Sequence, residues 1–355
     1  MLENTTFFSN KLITWYLENK RELPWRKTKD PYRIWLSEII LQQTRVAQGL
    51  PYYLAFIDTF PTVFDLAEAS QEKVLKLWQG LGYYSRARNL HETAKYVSET
   101  LNGEFPTNYT ALLKLKGVGD YTASAIASIC FNQAAAVVDG NVYRVLARVF
   151  GVATPINSTT GKKEFKKLAQ QLIDVKQPRT YNQALMEFGA RYCVPQNPKC
   201  ETCIFNDGCE AYKNELVSTL PVKLKKSKIK KRYFNYMVVL SEDKKTILNQ
   251  RTGKGIWQQL YEFPLVESKK EVSENELKKL PDFSTFSEEM DIDSISLYNE
   301  ISVVHKLSHQ HLFTRFWIVE VSPLRKKGVS LSEIEAYAVP VLIENFISNF
   351  SVFKN

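Results

Sequence analysis

The sequence has 355 residues, which is enough for two or three domains that each bury a core. Hydrophobic residues make up 44%, aromatic residues 12% and charged residues 24%, ordinary globular values that exclude a chain disordered throughout. The first twenty residues mix Glu and Lys among apolar residues and so do not form a secretion signal, and no apolar run approaches the ~20 residues of a membrane span. We therefore expect a cytoplasmic protein with no membrane partner.

The formal net charge is +9, and much of it lies in residues 222–232, where seven of the eleven residues are Lys or Arg and none is acidic. This composition predicts a basic linker over residues 216–232, between a first domain at 1–215 and a second at 233–355. The basic charge suggests a polyanionic partner. A solvated linker that contacts nothing would explain the same charge.

Before the linker, apolar residues recur at helical spacing. The predicted helices cover residues 35–46, 72–81, 83–101, 121–131, 141–150 and 162–175. After the linker, β-branched and aromatic residues between turn signals predict strands. These strands cover residues 233–240, 245–251, 311–321 and 337–343. The predicted fold class is therefore a mainly α first domain followed by an α+β second domain.

Glu38 lies in the first of these helices and shares a face with Ile34, Leu41 and Arg45. One interpretation is a Glu at the helix end that pairs with Arg45 or faces solvent. The other is a buried carboxylic acid whose pKa is raised by apolar neighbours, which suits a proton donor near neutral pH. The residues alone leave both interpretations open.

Gly117 and Gly119 separate two helical patterns within residues 113–129. This arrangement is typical of a helix-hairpin-helix turn, in which glycines let the backbone approach a partner and the next helix's N–H groups suit a phosphate. Such contacts hold DNA without reading its sequence. A plain connection between two helices is the alternative.

Asp139 precedes Gly140 and Asn141 at the start of a helical pattern, about twenty residues after the hairpin. Its simplest role is to cap the helix. An acid at this distance from the hairpin can also lie beside a sugar that the hairpin holds. The two roles are compatible.

Four cysteines lie within seventeen residues in a C-x6-C-x2-C-x5-C spacing, namely Cys193, Cys200, Cys203 and Cys209. Thiolates this close in loop-rich sequence can enclose one metal centre. The unequal gaps favour an iron-sulfur cluster, with a structural zinc ion as the alternative. Cys130, within an apolar helix, is predicted to be a core residue.

Six motifs occur in a characteristic order along the first 209 residues: LPWR, WLSEIILQQT, GLGYYSRARNL, LKGVGDYTA, VDGNVYRVLAR and the four-cysteine loop. Together they resemble the MutY-type adenine DNA glycosylases, of the helix-hairpin-helix, iron-sulfur glycosylase superfamily. The resemblance implies a base-excision repair enzyme with a 4Fe-4S cluster at residues 193–209. Its expected partner is double-stranded DNA with adenine opposite 8-oxoguanine or guanine, bound by a monomer on a bacterial chromosome.

Tyr121 distinguishes two branches of this superfamily. Endonuclease III-type enzymes carry a lysine here that forms a Schiff base, and a phenol cannot form that imine. The resemblance therefore implies a monofunctional glycosylase that leaves an abasic site. Lys114 and Lys116 nearby keep a bifunctional glycosylase/AP lyase as the alternative. A DNA-binding protein with an inactive glycosylase fold is a further alternative, which the presence of both Glu38 and Asp139 opposes.

The resemblance also implies residue roles. Glu38 would protonate adenine, Asp139 would stabilise the sugar cation, and Tyr121 and Asn141 would position both acids. The implied substrate and DNA contacts in the first 215 residues are Arg26, Gln42, Gln43, Thr44, Leu81, Tyr83, Gly117, Gly119 and Gln183.

In this family the second domain is Nudix-like and recognises 8-oxoguanine. The resemblance assigns that contact to Ser308 and His309, although Leu307 stands where the family has Phe. No R-E-x-x-E-E run follows residue 264, so nucleotide hydrolysis is not expected. A plain strand with alternating histidines at 305, 309 and 311 is the alternative.

Overall fold

The computed structural model describes residues 2–225, 229–288, 290–324 and 328–354. Contacts divide it into two compact units, the first formed by Met1–Ala69 with Asn89–Lys225 and the second by Ser70–Arg88 with Lys226–Asn355. Part of the predicted linker, residues 226–228, lies outside the described residues.

The helices are α1 (Leu2–Asn19), α2 (Pro31–Leu41), α3 (Val46–Thr59), α4 (Val63–Glu68), α5 (Gln71–Leu77), α6 (Ser85–Thr100), α7 (Tyr109–Leu112), α8 (Asp120–Phe131), α9 (Gly140–Val149), α10 (Thr159–Leu172), α11 (Pro178–Arg191), α12 (Glu210–Lys213), α13 (Glu274–Leu277), α14 (Pro281–Glu288) and α15 (Val341–Asn349). The strands are β1 (Lys230–Ser241), β2 (Lys245–Thr246), β3 (Asn249–Gln250), β4 (Tyr261–Glu262), β5 (Leu265–Ser268), β6 (Ile292–Leu297), β7 (Val303–Lys306), β8 (Gln310–Val321) and β9 (Val329–Ser330). The predicted class, mainly α followed by α+β, is confirmed. No helix of the described residues is long and apolar enough to cross a membrane.

The first unit is built around α11, which packs against α1, α8 and α9, while α2 packs against α8. Large apolar side chains fill the spaces between these helices, because helical spacing places them on the inward faces. Phe188 of α11, for example, contacts the ring of Trp15 edge-on, with ring centroids 5.0 Å apart. This packing brings α2, α8 with α9, and α11 together, although they are far apart in the sequence.

The helix predicted over residues 35–46 is interrupted. α2 ends at Leu41, and α3 begins at Val46. Between them Gln43 has φ +58°, a left-handed conformation that a right-handed helix cannot continue through. The backbone N–H of Thr44 donates to the Leu41 carbonyl and closes the turn. The prediction of one helix was wrong here because apolar spacing continues across the short turn.

The hairpin between α7 and α8 confirms the predicted helix-hairpin-helix fold. Gly117 has φ +77°, and a Cβ added there would lie 2.8 Å from the Cβ of Asn89. Gly119, by contrast, has φ −92° and precedes α8 as its N-cap, with no atom within 4 Å of an added Cβ. Only Gly117 is therefore required by both backbone conformation and space.

The second unit contains a five-stranded sheet in which β8 is central. Strand order is β5-β1-β8-β6, with β7 also paired to β8, and only the β1–β8 pair is parallel. Met237 and Trp317 on one face pack with Leu277 and Phe283 from α13 and α14. On the other, Phe316 stacks on Phe346 of α15 at 4.0 Å.

The strand predicted at residues 337–343 is not formed. α15 begins at Val341, and Pro340 occupies its N-cap position. Proline has no N–H for a sheet ladder, and its fixed φ suits the entry to a helix. The apolar residues that suggested a strand are buried on one face of α15 instead, for example Leu342 and Ile343.

We predict that Gly117→Ala lowers the free energy of unfolding by about 1–2 kcal/mol, because alanine adopts a left-handed backbone at that cost. Gly119→Ala is the comparison variant and should cost less, about 0.5 kcal/mol, because it keeps an allowed backbone and loses only the advantage of glycine over alanine at an N-cap. Thermal unfolding followed by circular dichroism at 222 nm, which reports the helical unit, measures both. Equal destabilisation of the two variants would contradict this account of the hairpin.

Candidate active site

A cavity of about 160 Å³ in the first unit is lined by Glu38, Tyr121, Asp139, Asn141 and Gln183, among others. These side chains come from α2, α8, the start of α9 and α11. Residues separated by about a hundred positions in the sequence therefore meet at one cavity. A convergence of the two acids is the geometry that the predicted catalytic pair requires.

Glu38 lies inside α2 and is only 7% exposed. Burial, with a smaller contribution from the Asp139 charge, raises the pKa of its carboxyl to about 7, against the opposing effects of the Tyr121 hydroxyl and Arg26. The cause is desolvation, which disfavours the charged form. Glu38 is thus the buried acid of the second interpretation, and a substantial fraction is protonated at neutral pH.

Asp139 is the N-cap of α9. One of its oxygens accepts from the backbone N–H groups of Asn141 at 2.8 Å and Val142 at 2.7 Å, and the other from the Asn141 amide at 2.9 Å. Burial raises the pKa of Asp139 above its usual value, and these donors and Arg144 offset only part of that rise. Helix capping and exposure to the cavity coexist, and the donors favour the carboxylate form.

Tyr121 interacts with both acids and remains a neutral phenol. Burial and the charges of Glu38 and Asp139 hold its pKa well above the usual value of 10. Its hydroxyl donates to the Met186 sulfur at 3.2 Å. A phenol beside two carboxyl groups can position them by hydrogen bonding without itself titrating.

Arg144 is a site residue that the sequence interpretation missed. Its guanidinium donates to the Asn141 side-chain oxygen at 2.9 Å and to the carbonyl oxygens of Gly189 and Cys193 at 2.5 and 2.7 Å. Gly189 is required here, because an added Cβ would lie 2.8 Å from the Cβ of Asn141. The close approach of α9 and α11 therefore fixes Asn141, which in turn holds Asp139.

Glu187 is the second residue that was missed. It is 1% exposed and accepts from Arg21 Nε at 2.7 Å, Arg21 Nη2 at 2.5 Å and Arg26 Nη2 at 2.7 Å. Burial alone would raise its pKa, but the hydrogen bonds and charges of the two arginines outweigh burial and hold the pKa at about 2. Its only sequence signal was its place one helical turn after Gln183.

Arg26 and Gln183, the predicted contacts to the base, both line the cavity, and both are held by neighbours. Arg26 is anchored by Glu187, and the Gln183 Oε1 accepts from the Tyr16 hydroxyl at 2.9 Å. Their positions are thus fixed by the protein before any substrate is present. Preorganised polar groups of this kind favour a single substrate orientation.

The predicted DNA contacts of the first unit gather near one end of α2. The Gln42 amide donates to Thr122 Oγ1 at 3.1 Å, which joins the turn after α2 to the first turn of α8. Gln43 is exposed in this turn. The hairpin with Gly117 and Gly119 immediately precedes α8. The turn and the hairpin are therefore neighbours, and Thr44 lies in the same turn.

In the second unit, Tyr83 and Ser308 are joined by a hydrogen bond of 2.8 Å between their hydroxyl oxygens. Both line a cavity of about 380 Å³ with His309, Leu307 and Trp257.

Leu81 and Tyr83, which both have predicted DNA contacts, differ sharply in accessibility. Tyr83 is 52% exposed, whereas Leu81 is 6% exposed and would have to leave its packing to enter a base stack.

The four predicted cluster ligands line one cavity in the first unit. Arg148 Nη1 donates to Cys193 Sγ at 3.5 Å, and the Phe205 N–H donates to Cys203 Sγ at 3.4 Å. A cation and N–H donors directed at sulfur suit thiolate ligands. No three His, Cys, Asp or Glu side chains of the described residues are placed to hold a single metal ion. The donor set fits a cluster.

Three family models match the chain. Residues 36–173 match the HhH-GPD superfamily base excision DNA repair protein, residues 193–209 match the iron-sulfur binding domain of endonuclease III, and residues 235–349 match the NUDIX domain. The second match confirms the predicted 4Fe-4S cofactor. The third confirms the Nudix-like second domain.

A protein of Buchnera aphidicola subsp. Baizongia pistaciae named adenine DNA glycosylase is 34% identical over 89% of this chain and 87% of its own length. The chain belongs to the adenine DNA glycosylase family. The human protein of that name is 47% identical over 58% of this chain and 39% of its own length. Similarity within the family therefore extends across both units for the bacterial relative.

Solved structures share the fold over about 60% of the chain. The match to a thermostable thymine-DNA glycosylase covers 60% of this chain and 98% of that glycosylase, with 32% identity and a TM-score of 0.56. An endonuclease III in a non-covalent DNA complex matches 61% of this chain and 98% of its own, at 21% identity and a TM-score of 0.53. The latter shows the fold alone.

We predict that Glu38→Gln stabilises this adenine DNA glycosylase family member, and increasingly so as pH rises. In the folded protein the pKa of the Glu38 carboxyl is about 7, above its value in the unfolded chain. The stabilisation that comes from binding this proton in the folded state is therefore fully present below about pH 4.5 and is lost as pH rises through 7. Glutamine has no proton to lose. The gain should approach about 3 kcal/mol well above pH 7.

Urea unfolding at pH 5, 6, 7 and 8 measures this difference. Glu164→Gln, at an exposed position of α10, is the matched control and should show no such trend. A pH-independent difference between wild type and Glu38→Gln would mean that Glu38 is not buried in solution.

Proposed function

We propose that this chain, an adenine-removing DNA glycosylase of base-excision repair by family, acts on adenine opposite 8-oxoguanine or guanine in double-stranded DNA. It breaks the N-glycosidic bond and leaves an abasic site. The observation that supports this most directly is the shared cavity of Glu38 and Asp139, whose environments differ. Two acids in different environments are what acid-assisted glycosidic cleavage needs.

The adenine must first leave the base stack, since its glycosidic bond is out of reach inside a duplex. We assign phosphate contacts to the N–H groups around Gly117 and Gly119 and contact with the opened stack to the Gln42–Thr44 turn. Tyr83 has the exposure that a stack contact requires, and Leu81 does not. Arg26 and Gln183 would meet the edge of the flipped base.

Glu38 then donates its proton to N7 of adenine, which makes the base a better leaving group. As the bond to C1′ breaks, the pair of electrons leaves with adenine and the sugar becomes cationic. The Asp139 carboxylate stabilises this cation and captures it at C1′. Glu38, now ionised, takes a proton from the water that displaces Asp139. Tyr121 and Asn141 hold the two acids in place throughout.

Lyase activity is not favoured. Tyr121 stands where an imine-forming lysine would be, and its phenol cannot supply that amine. Lys116, close to the hairpin, forms an ion pair with Glu92 at 2.5 Å.

The cluster, when bound by the four cysteines, would hold residues 193–209 together. No step of the proposed reaction depends on its redox state.

Single-turnover cleavage of a labelled duplex with adenine opposite 8-oxoguanine tests this function. Strand breakage should require hot alkali and should disappear when thymine replaces adenine. Glu38→Gln should slow excision at least about a hundredfold with unchanged DNA affinity, because it removes the proton and keeps the shape. Glu164→Gln should behave as wild type.

The dependence of the excision rate on pH distinguishes a role of Glu38 as proton donor from a role in shaping the cavity. Wild-type excision should fall as pH rises above about 7, since Glu38 loses its proton there. Breakage without alkali would support the lyase alternative. Full activity of Glu38→Gln would refute the proton-donor assignment. If protein with an intact cluster gave no reaction at all, the proposed enzymatic activity would be refuted.

We further propose that the cavity of the second unit receives 8-oxoguanine. This base differs from guanine in carrying an N7–H donor and an O8 acceptor. The Ser308 hydroxyl can both donate and accept, and Tyr83 fixes it at 2.8 Å. His309 lines the same cavity, while Leu307 offers an apolar contact where the family has an aromatic ring.

Ser308→Ala should reduce the preference for 8-oxoguanine over guanine about fivefold, which corresponds to one hydrogen bond of about 1 kcal/mol. Dissociation constants for duplexes with each lesion, measured with Glu38→Gln protein to prevent turnover, give this ratio. Ser284→Ala, exposed on α14, is the matched control. An unchanged ratio would remove Ser308 from the recognition contact.

A further inference from the structure

The first unit has a second cavity, of about 410 Å³, which we name the basic cavity. It lies between the end of α1, the segment before α2, the end of α8 and the start of α11. Lys20, Lys27, Lys29, Lys176 and Arg179 contribute positive charge to its lining, and Glu22 contributes a single negative one. The proposed reaction assigns no role to these lysines or to Arg179.

Most of this charge is not neutralised within the protein. Glu22 pairs with Lys27 at 3.3 Å. Among the described residues, Lys20, Lys29, Lys176 and Arg179 form no ion pair with a carboxylate. Arg179 instead donates to the carbonyl oxygens of residues 26 and 28, both at 2.9 Å, which fixes its guanidinium without cancelling its charge. Four like charges around one cavity repel each other unless an anion joins them.

Arg21 and Arg26 also line the basic cavity, and they belong to the wall that it shares with the active-site cavity. Glu187 holds both guanidinium groups from the buried side. Glu187 compensates one of the two guanidinium charges, so the wall keeps one positive charge in a fixed position. The remaining excess charge comes from Lys20, Lys29, Lys176 and Arg179.

The basic cavity lies away from the turn and the hairpin proposed to contact the duplex, although Arg26 and Gln183 in its lining are the proposed contacts to a flipped adenine. Gln42, just after α2, bonds to Thr122 in the first turn of α8, so the two helices run antiparallel. Lys29 precedes α2 and Asn132 follows α8, and both line the basic cavity. The cavity is thus about one length of α2, ~16 Å, from the turn and hairpin. A phosphate bound to the hairpin does not reach it.

We propose that the basic cavity binds a small phosphorylated anion with several negative charges, independently of duplex DNA. A linear phosphate chain matches four unbalanced cations better than a single phosphate does. The start of α11, where Lys176, Gln177 and Thr180 line the cavity, adds the partial positive charge of a helix of 14 residues. The chain of a nucleoside triphosphate and an inorganic polyphosphate share this chemistry.

Isothermal titration calorimetry with inorganic tripolyphosphate, at fixed ionic strength and with cluster-containing protein, tests the site. The double variant Lys29→Ala/Lys176→Ala removes two exposed side chains and should weaken binding at least about tenfold. Lys95→Ala/Lys213→Ala removes the same charge from exposed positions outside the cavity and should bind as wild type. Melting temperatures of both variants establish that they are folded.

Two further titrations identify the source and the site. ATP binding as strongly as tripolyphosphate means that the phosphate chain alone is recognised, and tighter ATP binding means that the nucleoside contributes. A saturating undamaged duplex, which places no flipped adenine against Arg26 and Gln183, should leave tripolyphosphate binding unchanged. Displacement by this duplex, equal weakening in both double variants, or no binding by wild type would overturn the proposal. None of these measurements uses excision activity, so failure of the proposed function would be recognised separately.

Discussion

Burial of the Glu38 carboxyl is the constraint on which the chemistry of this protein depends. α2 places the acid among apolar neighbours, where its pKa rises to about 7. Asp139 is also partly buried, but it accepts three N–H donors at the start of α9, and these favour its charged form. One cavity therefore contains an acid whose pKa is raised to about 7 and a second acid for which N–H donors offset part of the effect of burial. Residue type alone would not distinguish the two roles.

The same interior also contains a carboxylate, Glu187, that stays charged because arginine side chains pair with it. Glu187 remains ionised because Arg21 and Arg26 surround it, and its pKa is about 2. A buried carboxylate with two arginines is costly to disrupt, since losing one partner leaves an uncompensated charge. This cluster gives the Arg26 guanidinium one orientation at the wall of the active-site cavity. Arg21 and Arg26 of this cluster line both the active-site cavity and the basic cavity.

The sequence predicted the mainly α and α+β parts, the hairpin and the cysteine loop, because each has a local pattern or an ordered motif. It did not predict that Ser70–Arg88, within the predicted first domain, belongs to the second unit. The catalytic roles of Glu38 and Asp139 stay predictions. The sequence also did not predict Arg144 and Glu187, since their partners lie at positions 189 and 193 and at positions 21 and 26. Contacts over such separations are set by how α9 and α11 pack, which periodicity does not reveal. The two wrong elements have a similar cause. Apolar spacing continued across the turn at Gln43, and it did not distinguish the buried face of α15 from a strand.

The cysteine loop and the active-site cavity are connected by Arg144. This side chain donates to the carbonyl oxygen of Cys193 and to the side chain of Asn141, and Asn141 donates to Asp139. Gly189 lets α9 and α11 approach closely enough for these bonds to form. The position of the Asp139 carboxylate thus depends on the backbone of residue 193. The predicted cluster loop is therefore linked by hydrogen bonds to the acid, although none of the cysteines lines the active-site cavity.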